Sequence, residues 1–289
     1  MVKTFADLYQ EVRNELLETE GPEEAARIAR ELVCAATGQT RAGLLAGREA
    51  VVDSHVIHRL REFVIRAREG EPLAYIIGEW DFCGMTLSVT RDVLIPRDDT
   101  MAVTELAMKK AMFLEQNPRV LDLCAGSGCI GLAVAHKVKD ARVTLGELSP
   151  EAIRVAKKNI ADQKLSGRVS CIQVDAKRPA AKFLGTFDLI VSNPPYVSSE
   201  EYERLDPSVR NYEPRMALDG GADGLDFYRA IVENFTAALK PGGFFCFEFG
   251  LGQQEAVCGI LEQGGFEIRQ LRDDAQGITR AVIAQYTGG

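Results

Sequence analysis

Apolar positions recur every three to four residues through the first part of the chain. Phe5, Leu8, Val12 and Leu16 mark one helical face across residues 4–18, and Ala26, Ile28, Ala29, Leu32 and Val33 mark another across 23–37, with Gly21-Pro22 as the break and Gly38 as the stop. After the short pair Leu44-Leu45, a further helix over 53–69 carries Val56, Leu60, Phe63 and Val64 on one side. These segments predict a small helical domain over residues 1–70. From Glu71 to Pro96 the period changes: Trp80-Asp81-Phe82 and Met85–Val89 alternate about Gly84 as a hairpin does. Residues 71–97 are therefore expected to be a connector, and 99–115 resume a helical period.

From Arg119 onward, strand and helix patterns alternate. Strands are predicted at 119–124, 142–147, 169–174, 187–192, 243–249 and 280–286, with a weaker one at 266–271, and helices near 129–138, 149–163, 225–239 and 252–263. This α/β succession predicts a mostly parallel seven-stranded sheet with helices on both faces over residues 98–289, and ligands bind such sheets beyond the carboxyl ends of the strands. The run Phe187-Asp188-Leu189-Ile190-Val191-Ser192 has the near-continuous apolar character of a strand covered on both faces, and it stops at Asn193-Pro194-Pro195-Tyr196.

Composition narrows the functional classes. The chain of 289 residues is 46% hydrophobic and 26% charged, as soluble enzymes are, and carries a net charge of −8. That charge weighs against unaided binding to a phosphate backbone, and the excess of 15 acidic over 10 basic residues in 1–90 extends this to the helical domain. Without an apolar run of membrane-spanning length or a signal-peptide pattern at the N-terminus, the expectation is a cytoplasmic protein with no membrane partner. The seven cysteines form no Cys-x-x-Cys pair, and His55 and His58 lack a third ligand nearby, so no metal is expected.

The candidate chemistry gathers at the strand tips. The strand Arg119–Leu123 leads into Cys124-Ala125-Gly126-Ser127-Gly128-Cys129-Ile130-Gly131, a literal G-x-G-x-x-G that fits a dinucleotide. Asp122 argues otherwise: just before the loop its charge would repel a pyrophosphate and attract the ammonium group of S-adenosyl-L-methionine. Glu147, at the tip of the second strand, is placed to accept from a ribose diol, which both cofactors carry, and Asp175, followed by Ala176, to accept from an adenine amino group.

Pro194 and Pro195 have no N–H, so the corner after the fourth strand offers carbonyl acceptors beside the Asn193 side chain. Tyr196 adds a flat face for a planar amide or base. The tetrad resembles the Asn/Asp-Pro-Pro-Tyr motif of amino-group methyltransferases. An amide nitrogen gains positive charge as it takes a methyl group, so acceptors on its N–H groups, here Asn193 Oδ1 and the Pro194 carbonyl, stabilise the transition state more than the ground state.

The substrate is narrowed by longer blocks: Pro72–Gly78, Phe82-Cys83-Gly84-Met85, Val93–Arg97 and Tyr212–Arg229. With these the chain resembles, over nearly its whole length, the peptide chain release factor glutamine N(5)-methyltransferases. The resemblance implies a class I S-adenosylmethionine-dependent methyltransferase domain behind a small N-terminal helical domain. It further implies transfer to the glutamine of the Gly-Gly-Gln loop of class 1 release factors, with S-adenosyl-L-homocysteine as product and the helical domain docking the factor. By the same resemblance residues 124–128, Glu147 and Asn193 contact the cofactor, and 193–196 the glutamine. The chain departs from the family where Cys124 replaces a usual glycine, where Ala176 replaces a frequent aromatic, and where Asp98-Asp99-Thr100-Met101 follows Arg97. Two alternatives stay open: an adenine or guanine amino-methyltransferase acting on nucleic acid, and an NAD-dependent oxidoreductase using the glycine loop.

Overall fold

The computed structural model describes residues 3–288 and divides into two compact units. The first comprises the chain up to Gly78 together with Pro207–Tyr212; the second comprises Glu79–Asp206 and the chain from Glu213 on. The segment expected as a connector is thus divided at Gly78–Glu79. Leu73–Ile77 is a short helix of the first unit, and only the residues after it form the hairpin.

In the first unit, helices Phe5–Leu16, Pro22–Thr37 and Ser54–Arg68 bury Leu8, Val12, Leu16, Leu32, Val33, Leu60, Phe63 and Val64 against one another. Local signals set their ends. Thr4 and Asp7 form a capping box on the first helix, Pro22 opens the second, and Gly38 closes it with φ +69°. The return segment belongs here through the Tyr212 hydroxyl, which donates to the Glu69 carbonyl at 2.7 Å.

The second unit begins with an antiparallel hairpin, β1 (Glu79–Phe82) and β2 (Met85–Ser88). Its main sheet is built from β3 (Arg119–Leu123), β4 (Arg142–Glu147), β5 (Val169–Gln173), β6 (Phe187–Ser192), β7 (Leu239–Glu248), β8 (Phe266–Asp273) and β9 (Thr279–Tyr286) in the order β5-β4-β3-β6-β7-β9-β8. The first five strands in that order run parallel and β9 is antiparallel to both its neighbours, which makes the sheet mostly parallel. Alternation decides the layers: Val120, Leu189, Val191, Phe244 and Cys246 enter one core, while Leu121, Leu123, Ile190, Phe245 and Phe247 enter the other. Helices Met101–Met112 and Cys129–Lys137 contribute to the first core, and Asp226–Phe235 and Gln254–Gln263 to the second. The chain order reverses between β3 and β6, which creates a crevice at their carboxyl ends. Among the described residues no helix is long and apolar enough to cross a membrane.

Candidate active site

The loop after β3 is held in place from below. Asp122 is 1% exposed, and its Oδ2 accepts the Gly131 N–H at 2.8 Å while its Oδ1 has no partner. Burial raises its pKa to about 8; Glu147 pushes the same way and the Gly131 hydrogen bond opposes them. A Cβ added at Gly131 would come within 2.4 Å of Leu145 Cδ2, so the helix approaches β4 closely because this residue has no side chain. Gly126 and Gly128 turn the loop with φ +53° and +83°.

Cys124 shares that left-handed backbone, with φ +56°. A residue with a Cβ is strained there by about 1–2 kcal/mol, which is the physical reason a glycine suits the position. Cys124→Gly is expected to raise stability by about 1 kcal/mol, less the buried thiol contacts it gives up. Equilibrium denaturation in urea measures this directly, and a fall in stability of that size would mean the side-chain contacts outweigh the strain. Burial pushes the thiols of Cys124 and Cys129 up, so both stay protonated and neither serves as a thiolate nucleophile.

Glu147, 8% exposed, closes β4 and draws three backbone donors together: Oε2 accepts Gly126 N at 2.8 Å, and Oε1 accepts Leu148 N at 2.8 Å and Ser149 N at 2.9 Å. A carboxylate has about four acceptor positions and three are taken, so one, on Oε2, remains for a ligand hydroxyl. Asp175 follows β5, where its Oδ1 accepts Lys177 N at 2.9 Å.

A cavity of about 350 Å³ opens over these tips, within the range of small-molecule sites. Of the residues singled out from the sequence, it is lined by Cys124, Ala125, Gly126, Ser127, Glu147, Asp175, Ala176, Asn193 and Pro195. Asp122, Gly128, Pro194 and Tyr196 lie outside the lining. Tyr196 is held by one ring edge and by its hydroxyl. A Cβ on Gly250 would meet its ring at 3.0 Å, and its hydroxyl is 3.4 Å from Glu248 Oε1.

Residues 213–229 pack around the tetrad. Val197 N donates to the Leu218 carbonyl at 2.9 Å, and Gly220 N donates back to the Val197 carbonyl at 2.8 Å. A Cβ at Gly220 would lie 2.7 Å from the Pro195 carbonyl, and one at Gly224 would lie 2.3 Å from the Tyr196 carbonyl. Glycine is needed at both because backbone meets backbone. Buried Glu213 accepts from Ile95 N at 3.2 Å and pairs with Arg97.

Three residues of the site escaped the sequence reading. Thr100 accepts from Asn193 Nδ2 at 3.3 Å through its hydroxyl. Asn159, 1% exposed, donates to the carbonyls of Ser88 at 3.0 Å and Ser127 at 2.9 Å, and accepts Ser88 N at 2.7 Å, which ties the hairpin to the glycine loop. Glu248 closes β7 beside the tetrad. For Asn159 the signal was a polar residue on the apolar face of its helix; for Glu248 it was an acid at the tip of an apolar strand.

The geometry has relatives. A family model described as Methyltransferase small domain matches residues 102–206, and one described as PrmC N-terminal domain matches residues 7–78. A protein named release factor glutamine methyltransferase from Geobacter sulfurreducens is 42% identical over 90% of this chain and 89% of its own length. One of the same name from Clostridium acetobutylicum is 36% identical over 83% of this chain and 84% of its own. A solved methyltransferase from Pyrococcus furiosus, 19% identical, superposes with a TM-score of 0.51 over 77% of this chain and 96% of that one, a likeness of fold.

Proposed function

This chain belongs to the release factor glutamine methyltransferase family, and we propose that it transfers a methyl group from S-adenosyl-L-methionine to the side-chain amide nitrogen of the glutamine in the Gly-Gly-Gln loop of a class 1 release factor. The observation that carries this reading is the placement of Asn193 and Pro195 on the wall of the cavity shared with the glycine loop, across the β3–β6 crevice.

The residues present fit the cofactor. The unpartnered buried Oδ1 of Asp122 suits an ammonium group, whose arrival would favour the carboxylate form, the backbone of Cys124–Gly128 permits close approach, Glu147 suits a ribose hydroxyl, and Asp175 with Ala176 suits the adenine. When bound, S-adenosyl-L-methionine supplies a methyl group made electrophilic by its sulfonium. Asn193 Oδ1 and the Pro194 carbonyl accept from the glutamine amide and fix its nitrogen lone pair toward that methyl. As the new N–C bond forms and the methyl–sulfur bond breaks, its electron pair staying on sulfur, both acceptors would strengthen against the growing charge, and the nitrogen then loses a proton to water. S-adenosyl-L-homocysteine leaves. Among charged side chains, none is required as a strong base.

The helical unit, with its acidic excess, is the docking surface for the protein substrate in this reading, and the site of action is the cytoplasm, where release factors work. Purified protein with methyl-labelled S-adenosyl-L-methionine is expected to label a class 1 release factor and to leave its loop Gln→Glu variant unlabelled. Label in that variant, or in nucleic acid alone, would contradict the proposal.

A further inference from the structure

Behind Asn193 lies a carboxylate that the cofactor pocket does not use. Glu248 is 1% exposed at the end of β7, the strand next to β6. Its Oε1 faces the Tyr196 hydroxyl at 3.4 Å, its backbone carbonyl accepts the Tyr228 hydroxyl at 2.8 Å, and its Oε2 has no completed hydrogen bond. The Thr100 hydroxyl faces the same carboxylate and favours its charged form. That hydroxyl is also the partner of Asn193 Nδ2, at 3.3 Å.

A hydroxyl has one proton, and the direction of that proton decides which way the Asn193 amide points. An ionised carboxylate only accepts, so beside it the Thr100 proton turns to Glu248 and the Thr100 oxygen is left to accept. Asn193 must then present Nδ2 to Thr100, which leaves Oδ1 toward the cavity. A protonated Glu248 can donate instead. The Thr100 proton is then free to turn to Asn193 Oδ1, and the amide presents NH2 where the reaction needs an acceptor.

We infer that Glu248 is a positioning residue for methyl transfer: through the Thr100 hydroxyl its carboxylate fixes Asn193 with Oδ1 facing the acceptor amide. The inference rests on the role proposed for Asn193. It also makes transfer sensitive to pH. Burial raises the Glu248 pKa to about 7, and the neighbouring groups divide: Asp99, from the turn before helix Met101–Met112, pushes it up, while the hydroxyls of Thr100 and Tyr196 that face it and Arg280 of β9 draw it down. Arg280 is itself 3.3 Å from Asp99. The phenol of Tyr228 and the thiol of Cys129 complete the titratable surroundings, and both stay neutral because burial pushes them up. The carboxylate form holds above pH about 7, so activity rises with pH through that value.

The test is the pH dependence of kcat at saturating cofactor and release factor for the wild-type protein, Glu248→Gln, Thr100→Val and Thr100→Ser, with thermal unfolding of each. Saturation removes the separate titration of Asp122, which bears on cofactor binding. Glu248→Gln is expected to lower kcat by about 10–100-fold and to flatten the limb near pH 7, with little change in KM for S-adenosyl-L-methionine. Thr100→Val should do the same and the double variant no worse than either, whereas Thr100→Ser keeps the limb. Wild-type kcat and an unchanged limb in Glu248→Gln would overturn the inference. So would a loss of activity that only tracks a lower unfolding temperature while the limb persists. An Asn193→Ala protein that turns over normally would instead refute the underlying role of Asn193.

Discussion

Asn193→Ala is expected to lower kcat by about 10²–10³-fold, the usual cost of losing one preorganised group that meets developing charge. The change removes Oδ1, one of the two acceptors proposed for the glutamine amide, and keeps the Pro194 carbonyl, so transfer falls without vanishing. Folding should survive, because Asn193 is half-buried and its side chain's described hydrogen bond is the one to Thr100. Binding of S-adenosyl-L-homocysteine, measured by calorimetry, should shift much less than kcat. A drop confined to KM would instead make Asn193 a contact for ground-state binding alone.

Glu147→Ala is expected to act on the other half of the site. The carboxylate gathers Gly126, Leu148 and Ser149 N–H groups, so its loss takes the partner from three partly buried donors and loosens the loop on β4, leaving the Ala125 N–H on the Gly146 carbonyl. It also removes the proposed acceptor for the ribose diol. Hydrogen bonds to a charged group are worth about 1.5–3 kcal/mol each, so cofactor affinity should weaken by about 100-fold or more. Titration with S-adenosyl-L-homocysteine reads this without turnover. An unchanged Kd would restrict Glu147 to bracing the loop.

The sheet was legible because its strands are covered on both faces. Val120 and Leu121, or Phe244 and Phe245, go to opposite cores, and a strand buried in this way is written as an unbroken apolar run. The glycine loop was legible through Gly126 and Gly128, which the backbone needs at positive φ, and the tetrad through prolines that end β6. Leu73–Ile77 was not, because a five-residue helix carries too little of a period, and its place is set by Arg66, which donates to the Tyr75 carbonyl at 3.0 Å.

The polar support of the site was also hidden, for a reason of distance along the chain. Asn193 meets Thr100 across 93 positions, Ser88 meets Asn159 across 71, and Tyr196 meets Glu248 across 52. No local pattern encodes such pairs. Tyr196 illustrates the point. Its aromatic ring suggested a platform for the substrate, and the contacts that fix the residue come from distant positions: Gly220 and Gly224 against its backbone, Gly250 against one ring edge and Glu248 at its hydroxyl. The same closeness gives the Glu213–Arg229 part of the block its physical sense, since Gly220 and Gly224 are where it packs on the tetrad's backbone.

The proposed methyl acceptor is a side-chain amide nitrogen of a release factor. The most direct test of this is mass spectrometry of a class 1 release factor after incubation with this protein and S-adenosyl-L-methionine. One added methyl group is expected on the glutamine of the Gly-Gly-Gln loop, absent when that residue is glutamate and much reduced with the Asn193→Ala enzyme. Methylation at any other residue of the factor, or an unmodified factor alongside methylated nucleic acid, would contradict it.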